Sequence, residues 1–489
     1  MTTSVTSTTT GSVSSAGLGS GLDVNSIITS LMAVEAKPLD VLKTAATGIN
    51  SKISTYGKLQ SYFSALQDKS NALTSLTLWN STVAAVGDSS ALKVATGSGS
   101  VAGNYAVKVT KLAASQTVTS TALPPGTTDL NSGMLTIQLG AWSGTPTDGF
   151  TAKSGSAAVS IDISENDTSL SSIRDKINAA GAGVLASIVT DASGTRLSIR
   201  SKDTGAENAF RITAAETFDD GNDATGLSAL AFDLAGGATQ MTQVQTAANA
   251  QAQINGIDVS SASNTLNNVV DGLTLTLMKE TASPVDVTVS ADTASVKTKI
   301  TEFISAFNDL ASQLRTQTAY NSDSKTAGAL QGDASAVSLL TQLRGVLNVS
   351  SSASTTWTRL SDVGISMQSD GTLKADDSKL GSALNNLPEL NKLLNTLGPD
   401  NASSGFVRRY KALADAALGT KGSFETKNQS LQSMLRRNTK DQDNMQTRLD
   451  QTETRLRKQY QALDTQMSSL SGLSSYVSAQ LAALNKSSS

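Results

Sequence analysis

Residues 449–484 read LDQTETRLRKQYQALDTQMSSLSGLSSYVSAQLAAL, and this stretch decides the architecture of the chain. Its large apolar residues form two interleaved series with a seven-residue period: Leu449, Leu456, Leu463, Leu470, Val477 and Leu484 in the first series, and Tyr460, Met467 and Leu481 in the second. Such a heptad pattern is typical of a helix that packs along another helix through a narrow apolar seam. The sequence therefore predicts a long C-terminal helix that needs a helical partner.

The N-terminal region has the same helical spacing. Asp23 is a predicted N-cap, and Pro38 is predicted to begin a second helix that runs to about Leu76. The apolar residues of the first helix are Val24, Ile27, Ile28 and Leu31; those of the second are Leu42, Ile49, Tyr56 and Phe63 at a spacing of seven, interleaved with Leu59, Leu66 and Leu73. The two chain ends are predicted to pack together or against other copies. An intramolecular bundle is the alternative that this pattern leaves open.

Between the two ends the hydrophobic period changes to two, which is typical of half-buried strands. Alternating apolar residues predict strands within 105–109, 135–139, 159–163, 184–188, 197–199, 273–277 and 285–289. Leu170, Ile173 and Ile177 predict a short helix among them, and Asn255-Gly256 predicts a type I′ hairpin turn. The polar run 238–253 is interpreted as a connecting segment. The middle of the chain is thus a β-rich insertion between helices.

Helical spacing returns after Asp292, which is a predicted N-cap. A helix capped by Asp333 is predicted over 333–348, with Val337, Leu340, Leu343 and Leu347 as its apolar residues. A further helix is predicted over 376–397, and a small hairpin turns at Asp370-Gly371 between the two. These helices make the C-terminal third of the chain helical.

Composition excludes several classes of function. The 489 residues contain 38 Lys and Arg against 41 Asp and Glu, so no basic field is available for nucleic acid. The chain has no Cys and no His, which removes thiol nucleophiles, imidazole acid–base catalysis and Cys/His zinc sites. No stretch is apolar over the length of a membrane span, and residues 1–20 lack the basic start and apolar run of a secretory signal. We expect no nucleic-acid partner, no membrane insertion and no cofactor.

No local motif pairs a catalytic acid with a nucleophile, so we expect no enzymatic activity. Asp219, Asp220, Asn222 and Asp223 could offer oxygen ligands to a hard cation. The spacing and the closing glutamate of an EF-hand loop are absent, so a solvated loop is the preferred interpretation and no metal site is predicted.

Several local motifs occur in an order that resembles the bacterial flagellar hook-associated protein 2 family, the filament cap proteins also called the FliD family. The motifs are Gly17-Leu18-Gly19-Ser20-Gly21-Leu22-Asp23-Val24, Gly103-Asn104-Tyr105-Ala106-Val107-Lys108-Val109, Asn255-Gly256-Ile257-Asp258-Val259, Gly272-Leu273-Thr274-Leu275, Gly328-Ala329-Leu330-Gln331-Gly332-Asp333, Leu360-Ser361-Asp362-Val363-Gly364-Ile365, Asp370-Gly371-Thr372-Leu373 and Ser474-Ser475-Tyr476-Val477. Each motif is weak alone, and their common order makes the resemblance specific.

The resemblance implies an α+β multidomain fold, with terminal coiled-coil helices and a helical bundle leg into which β-rich head domains are inserted. The expected domains are a terminal helical coiled-coil domain (1–45 and 445–489), a helical leg domain (46–82 and 290–444), a β-rich head domain (83–125 and 241–289) and a second β-rich α+β head domain (126–240).

The resemblance also implies a structural filament cap, an oligomeric plate at the distal tip of the flagellum that promotes flagellin folding and insertion and prevents flagellin loss. Its expected partners are a homo-oligomeric ring of about five copies, flagellin, the hook-filament junction protein and a flagellar export chaperone. The expected location is extracellular, after type III export without a cleaved signal peptide. An alternative function is that of a surface adhesin that binds host glycans or mucin through the head.

The residues expected to contact sister copies or the filament are the apolar seam positions of the two ends: Val24, Ile27, Ile28, Leu31, Leu42, Ile49, Leu456, Tyr460, Leu463, Met467, Leu470, Val477, Leu481 and Leu484. Four of them, Leu463, Met467, Leu470 and Val477, are expected to bind the export chaperone before assembly.

Overall fold

A computed structural model describes residues 23–123, 130–144, 149–219, 221–323 and 325–487, with side chains to residue 483. The helices of these residues are α1 (Val24–Glu35), α2 (Lys37–Leu73), α3 (Leu76–Trp79), α4 (Leu170–Ala179), α5 (Thr293–Thr318), α6 (Ala334–Gly345), α7 (Asp377–Leu384), α8 (Leu387–Asn395), α9 (Phe406–Leu418) and α10 (Ser423–Ser487).

The strands of the first half of the chain are β1 (Thr82–Val86), β2 (Leu92–Thr96), β3 (Gly103–Lys111), β4 (Thr117–Thr119), β5 (Gly133–Ser143), β6 (Gly149–Ala152), β7 (Val159–Ile163), β8 (Val184–Asp191), β9 (Gly194–Ser201) and β10 (Ala209–Glu216). The later strands are β11 (Phe232–Asp233), β12 (Ala238–Thr239), β13 (Thr242–Gln245), β14 (Ala250–Ile254), β15 (Ile257–Ser261), β16 (Thr265–Val270), β17 (Leu273–Leu277), β18 (Val285–Ala291), β19 (Tyr320–Asn321), β20 (Thr326–Ala327), β21 (Ile365–Met367) and β22 (Leu373–Ala375).

The chain divides into two compact units. The helical unit comprises Met1–Ser75 and Ala294–Ser489, and the β unit comprises Leu76–Thr293. An α+β fold with a β-rich insertion between helical ends is therefore confirmed. The four domain boundaries drawn from the sequence stay a prediction.

The β unit contains two β regions, each with its own apolar core. In the first β region an antiparallel sheet of order β1-β18-β3-β14-β15 lies with a second sheet, β16-β17-β2. Alternate residues of β17 and β18 point into their shared core, as the period-two pattern predicted: Leu273, Leu275, Leu277, Val287 and Val289. Asn255 and Gly256 both have positive φ in the turn between β14 and β15, which confirms the type I′ hairpin.

The second β region has a sheet of order β12-β11-β10-β5-β6, to which β7 pairs through β5, and a sheet of order β13-β4-β9-β8. Helix α4 packs its apolar face, with Ile173 and Ile177, into the core between them. Gln116 is fully buried in this region, where its side chain donates to the Phe210 carbonyl oxygen at 2.8 Å and accepts from Trp142 Nε1 at 3.0 Å. Because its polar atoms are paired, this buried amide ties the two sheets together.

A hydrogen-bonded joint connects the two β regions. The Thr204 hydroxyl donates to the Ala262 carbonyl oxygen at 2.7 Å, and the Ala206 amide donates to Asn249 Oδ1 at 2.7 Å. Gly205 lies between them with a φ of 111°, and a Cβ there would collide with Ala262. Glycine is required at this position because the backbone needs both the left-handed conformation and the close approach.

The helical unit is built around α2, α5, α9 and α10. The apolar face of α5 is buried along its length, and the rings of Phe303 and Phe307 each lie 5.5 Å from the ring of Tyr410 on α9. Asp333 caps α6 as predicted, accepting from the Ser335 and Ala336 amides. The predicted helix over 376–397 is wrong in one respect: it is two helices, because Asn386 begins a new helix with a proline in its first turn.

Two other expectations from the sequence are corrected. Helix α2 ends at Leu73 rather than near Leu76. The polar run 238–253 is more than a connection, since it contains β12, β13 and most of β14. Ala250 and Ala252 are the buried residues of β14 there, and such small side chains leave only a weak hydrophobic period.

Candidate interaction surface on the terminal helices

Helix α1 is placed by its cap and by two apolar residues. The Asp23 carboxylate accepts from the Ser26 amide at 2.9 Å, which confirms the predicted N-cap. Val24 and Ile28 are buried, and Ala36 separates α1 from α2 just before the first-turn proline of α2. Ala36 itself has near-helical backbone angles, so the break between α1 and α2 is one residue long.

Helix α10 runs antiparallel to α2 and α1. Near its start, the Phe424 ring lies 5.1 Å from the Phe63 ring and 6.2 Å from the Tyr56 ring. Thirty-three residues later, Arg457 Nη1 donates to Asn25 Oδ1 at 3.2 Å. Residues nearer the C-terminus of α10 therefore contact residues nearer the N-terminus of the chain. The predicted packing between the two chain ends is confirmed over this length.

A buried polar cluster fixes the base of α10 to the bundle. Asp333 accepts from the Tyr56 hydroxyl at 2.8 Å and pairs with Lys427 Nζ at 2.8 Å while it caps α6. Burial raises the pKa of Asp333, but the hydrogen bonds from Lys427 and Tyr56 outweigh burial and hold that pKa below its usual value. Burial, followed by the bond to Asp333, raises the pKa of Tyr56. One carboxylate thus joins α2, α6 and α10.

The seam of α10 loses its cover towards the C-terminus. Leu449 is buried, and Leu456 and Tyr460 are half-buried. Beyond them every large apolar side chain with a described environment is between 41% and 63% exposed: Leu463, Met467, Leu470, Leu473, Tyr476, Val477 and Leu481. We call residues 461–483 the C-terminal apolar segment. In the described part of the chain, nothing covers these seven side chains.

Charge changes along α10 at the same point. Residues 436–458 contain eleven charged side chains, whereas the equally long C-terminal apolar segment contains one, Asp464. On a helical wheel at 100° per residue, the large apolar side chains of the C-terminal apolar segment other than Tyr476 lie within an arc of about 120°. A charge-free apolar face of that width on one helix is typical of a binding surface rather than of a solvated helix.

Other candidate sites gain no support from geometry. Among the described residues no three acidic side chains come together as a metal site, and Asp220 of the predicted loop lies outside those residues. No described helix is both long and apolar enough to cross a membrane. Trp79 is buried, Trp142 is half-buried against the core of the second β region, and Trp357 is half-buried, which is typical of packing residues.

Comparison with known proteins identifies the family of the chain. The family model described as "Flagellar hook-associated protein 2 N-terminus" matches residues 20–116, and the model "Flagellar hook-associated protein 2 C-terminus" matches residues 247–472. Flagellar hook-associated protein 2 of Escherichia coli K12 is 31% identical over 481 residues, which is 96% of this chain and 98% of the relative. The chain belongs to the flagellar hook-associated protein 2 family.

Other relatives in the family agree. The Salmonella typhimurium flagellar hook-associated protein 2 is 30% identical over 97% of this chain and 100% of its own length. The B-type protein of Pseudomonas aeruginosa is 32% identical over 76% of this chain and 77% of its own length. The crystal structure of the D1-D2-D3 domains of the Escherichia coli flagellar cap protein FliD superposes with a TM-score of 0.59 at 29% identity, covering 77% of this chain and 99% of that one.

The two models of the hook-associated protein 2 family leave residues 117–246 between them. That interval is the second β region, from β4 to β13, and it contains the match to the "Flagellin hook IN motif" at residues 149–203. Three motifs that carried the resemblance lie in the first β region: in β3, in the β14–β15 hairpin and at the start of β17. The second β region is therefore an insertion within an insertion.

The structure places the predicted contact residues in three environments. Val24 and Ile28 are buried within the chain, whereas Ile27, Leu42, Ile49, Leu456 and Tyr460 are half-buried. Leu31, Leu463, Met467, Leu470, Val477 and Leu481 are exposed, and the side chain of Leu484 lies outside the described residues. Leu473 and Tyr476 were missed by the heptad analysis, because neither falls on the two seam series. A helical-wheel count of all large apolar residues would have found Leu473 beside Leu470 and Val477.

Proposed function

We propose that this protein is the structural cap at the distal tip of the bacterial flagellar filament. It forms an oligomeric plate that promotes folding and insertion of flagellin and prevents flagellin loss, and it has no catalytic role. Family membership over nearly the whole chain supports the cap assignment. The observation that carries the mechanism is the C-terminal apolar segment, whose seven apolar side chains lack cover in one copy. The adhesin alternative has no support from the comparisons.

Local propensity makes the C-terminal apolar segment dependent on a partner. Five serines and Gly472 lie within residues 468–475. Ser costs about 0.5 kcal/mol and Gly about 1 kcal/mol relative to Ala in a helix, so this octet is roughly 3.5 kcal/mol less favourable than polyalanine. Within one copy no apolar burial offsets that cost. We infer that this part of α10 opens readily in the free subunit and becomes a fixed helix when sister copies or the filament cover it.

Burial on assembly is large enough to reverse this balance. Full burial of one large apolar side chain stabilises by about 1.5–3 kcal/mol, and several of the seven are half-exposed at the start. At about half that gain for each side chain, covering five of the seven stabilises by about 4–7 kcal/mol, which exceeds the propensity cost. Folding on assembly would thus supply attachment to the ring and to the filament, and before export a chaperone would cover Leu463, Met467, Leu470 and Val477. The protein would leave the cell by type III export without a cleaved signal peptide.

Hydrogen exchange tests this mechanism directly. In the free subunit we expect fast exchange of amides in residues 463–483 and slow exchange around Leu431 and Leu449, where α10 is covered. In assembled caps the same C-terminal amides should become protected. Complete protection of residues 463–483 already in the free subunit would refute folding on assembly.

A complementation experiment tests the cap function. A strain that lacks the gene should release unpolymerised flagellin into the medium, and the wild-type gene should restore filaments. The double variant Leu470→Ser and Val477→Ser weakens the apolar face and should restore them poorly. Thr465→Ala with Ser468→Ala changes the opposite side of the same helix and is the matched control. Equal complementation by both variants would contradict the role of this face.

A further inference from the structure

Strand β8 forms one edge of the four-stranded sheet in the second β region. It pairs with β9 on one side over its full length, from Val184 opposite Ser201 to Asp191 opposite Gly194. Residues 184–190, VLASIVT, are uncharged and rich in β-branched and aliphatic side chains, and Leu185 and Val189 are exposed. A long uncharged edge strand is a template for pairing with another chain, and proteins usually block such edges with a charge, a proline, a bulge or a cover. Residues 184–190 of β8 include no charged residue and no proline, and the pairing of β8 with β9 has no bulge.

The backbone groups that face the open edge belong to alternate residues. In an antiparallel pair, residues alternate between bonding to the neighbour strand and pointing away from it. The Lys202 amide donates to the Gly183 carbonyl oxygen, so residues 183, 185, 187, 189 and 191 bond towards β9. The N–H and C=O groups of Val184, Ala186, Ile188 and Thr190 therefore point to the edge.

One side chain occupies the centre of that edge. Asn178, at the C-terminal end of α4, accepts from the Ala186 amide with Oδ1 at 2.8 Å and donates from Nδ2 to the Ala186 carbonyl oxygen at 2.9 Å. The carboxamide thus reproduces both hydrogen bonds that one residue of an added strand would make. No other described residue hydrogen-bonds to the edge-facing backbone of Ile188 or Thr190.

We propose that Asn178 is a guard residue that prevents β8 from pairing edge to edge with β8 of a second copy. Antiparallel pairing of a strand with itself obeys two-fold symmetry, so the same eight residues would form both halves of the interface. An added strand needs the Ala186 groups, because without them the edge is divided into Val184 on one side and Ile188 with Thr190 on the other, and neither part offers enough bonds for a stable pair. The Asn178 carboxamide must be displaced before a sister strand can bind. Copies concentrated side by side in a cap are the situation in which such pairing is most favoured.

The absence of cysteine from the chain gives a clean test. Ser187→Cys introduces a single thiol at the centre of β8, on an exposed residue. With the full chain and a short bis-maleimide cross-linker, Asn178→Ala/Ser187→Cys should form covalent dimers several-fold faster than Ser187→Cys alone. Ser171→Ala/Ser187→Cys, which removes a polar side chain from the other end of α4, should cross-link at the rate of Ser187→Cys alone.

Two further variants separate pairing from misfolding. Val189→Lys places a charge on the exposed face of β8, and adding it to Asn178→Ala/Ser187→Cys should return cross-linking to the background rate. Asn178→Asp keeps the acceptor for the Ala186 amide and adds a charge, so it should also stay at background. Far-ultraviolet circular dichroism that matches the unmodified chain shows that each variant is folded. Equal cross-linking with and without Asn178 in folded protein, or cross-linking that Val189→Lys does not suppress, would overturn the proposal.

Discussion

Replacing Asp333 should destabilise the helical unit more than any other single change of a charged residue that we consider. Asp333→Ala removes the N-cap of α6, whose loss costs about 1 kcal/mol. It also leaves the buried Tyr56 hydroxyl without its acceptor, at about 1–3 kcal/mol, and leaves Lys427, which is 24% exposed, without its partner. Breaking a buried ion pair by removing one partner costs about 3–5 kcal/mol, and we expect Asp333→Ala to fall in that range.

Asp333→Asn separates charge from hydrogen bonding. The amide oxygen can still cap α6 and accept from Tyr56, so this variant should lose only part of the stabilisation, about 1–2 kcal/mol. A suitable control is Asp377→Ala, because Asp377 pairs with Lys297 at 2.7 Å but is 82% exposed. Exposed ion pairs contribute little, so its effect should be small beside that of Asp333→Ala.

Urea unfolding can measure these changes in stability for the helical unit alone. Of the three tryptophans, Trp357 alone belongs to the helical unit, so Trp79→Phe/Trp142→Phe leaves a fluorescence reporter of that unit. The free energy of unfolding and its urea dependence should be compared for each variant in this background. A loss below about 1 kcal/mol for Asp333→Ala, or equal losses for Asp333→Ala and Asp377→Ala, would refute the reasoning.

Three further predictions concern the same two units. The folded-state pKa of Asp333 lies below its usual value, so the contribution of Asp333 to stability is present above the unfolded pKa and is lost as pH falls through the folded pKa. Acid titration followed by Trp357 fluorescence should show this loss of stability. The variant Asp333→Asn should not show it. Tyr410→Phe should raise the free energy of unfolding of the helical unit by about 1 kcal/mol, since the buried Tyr410 hydroxyl has no hydrogen-bond partner in the described residues, and a clear loss of stability would argue against that orphaned group. Gly272→Ala should lower the melting temperature of the β unit, because Gly272 has a φ of 68° and a Cβ there would meet Ser100. Gly48→Ala, at an open position in the interior of α2, should be neutral or stabilising. An equal change of melting temperature in both variants would contradict the strain argument.

The fold could be predicted from the sequence wherever side-chain size made the period visible. Leucine and valine alternate in β17 and β18, and the heptads of α10 are carried by leucine, so both elements were recognised. Strand β10 was missed because alanines interrupt its alternation, although Phe210 and Ile212 are fully buried. In α6, the sequence pattern placed Val337 on the apolar face, but Ala336 and Leu339 are buried and Val337 is exposed. A single helix offers several overlapping faces, and only its neighbours select one of them.

The polar contacts lay beyond the reach of pattern analysis. Gln116, Asp333 and Asn178 act through partners that are tens to hundreds of residues away or on another element, and nothing local distinguishes them from solvated residues. The sequence predicted that the seam residues from Leu463 to Leu481 need a partner, and the structure leaves their side chains exposed. Their contacts with other copies, the filament or a chaperone stay a prediction. The full set of exposed apolar side chains was not predicted, because strict heptad counting excludes Leu473 and Tyr476.

The uninterrupted course of α10 has a mechanical consequence. At 1.5 Å per residue its 65 residues span about 98 Å, and about 36 Å separate Arg457, which contacts Asn25, from Leu481 in the exposed part. A tilt of about 8° at Arg457 would move Leu481 sideways by roughly 5 Å, which is about one helical turn. A slight change of angle where α10 leaves the bundle thus becomes a displacement of about one helical turn at its exposed end.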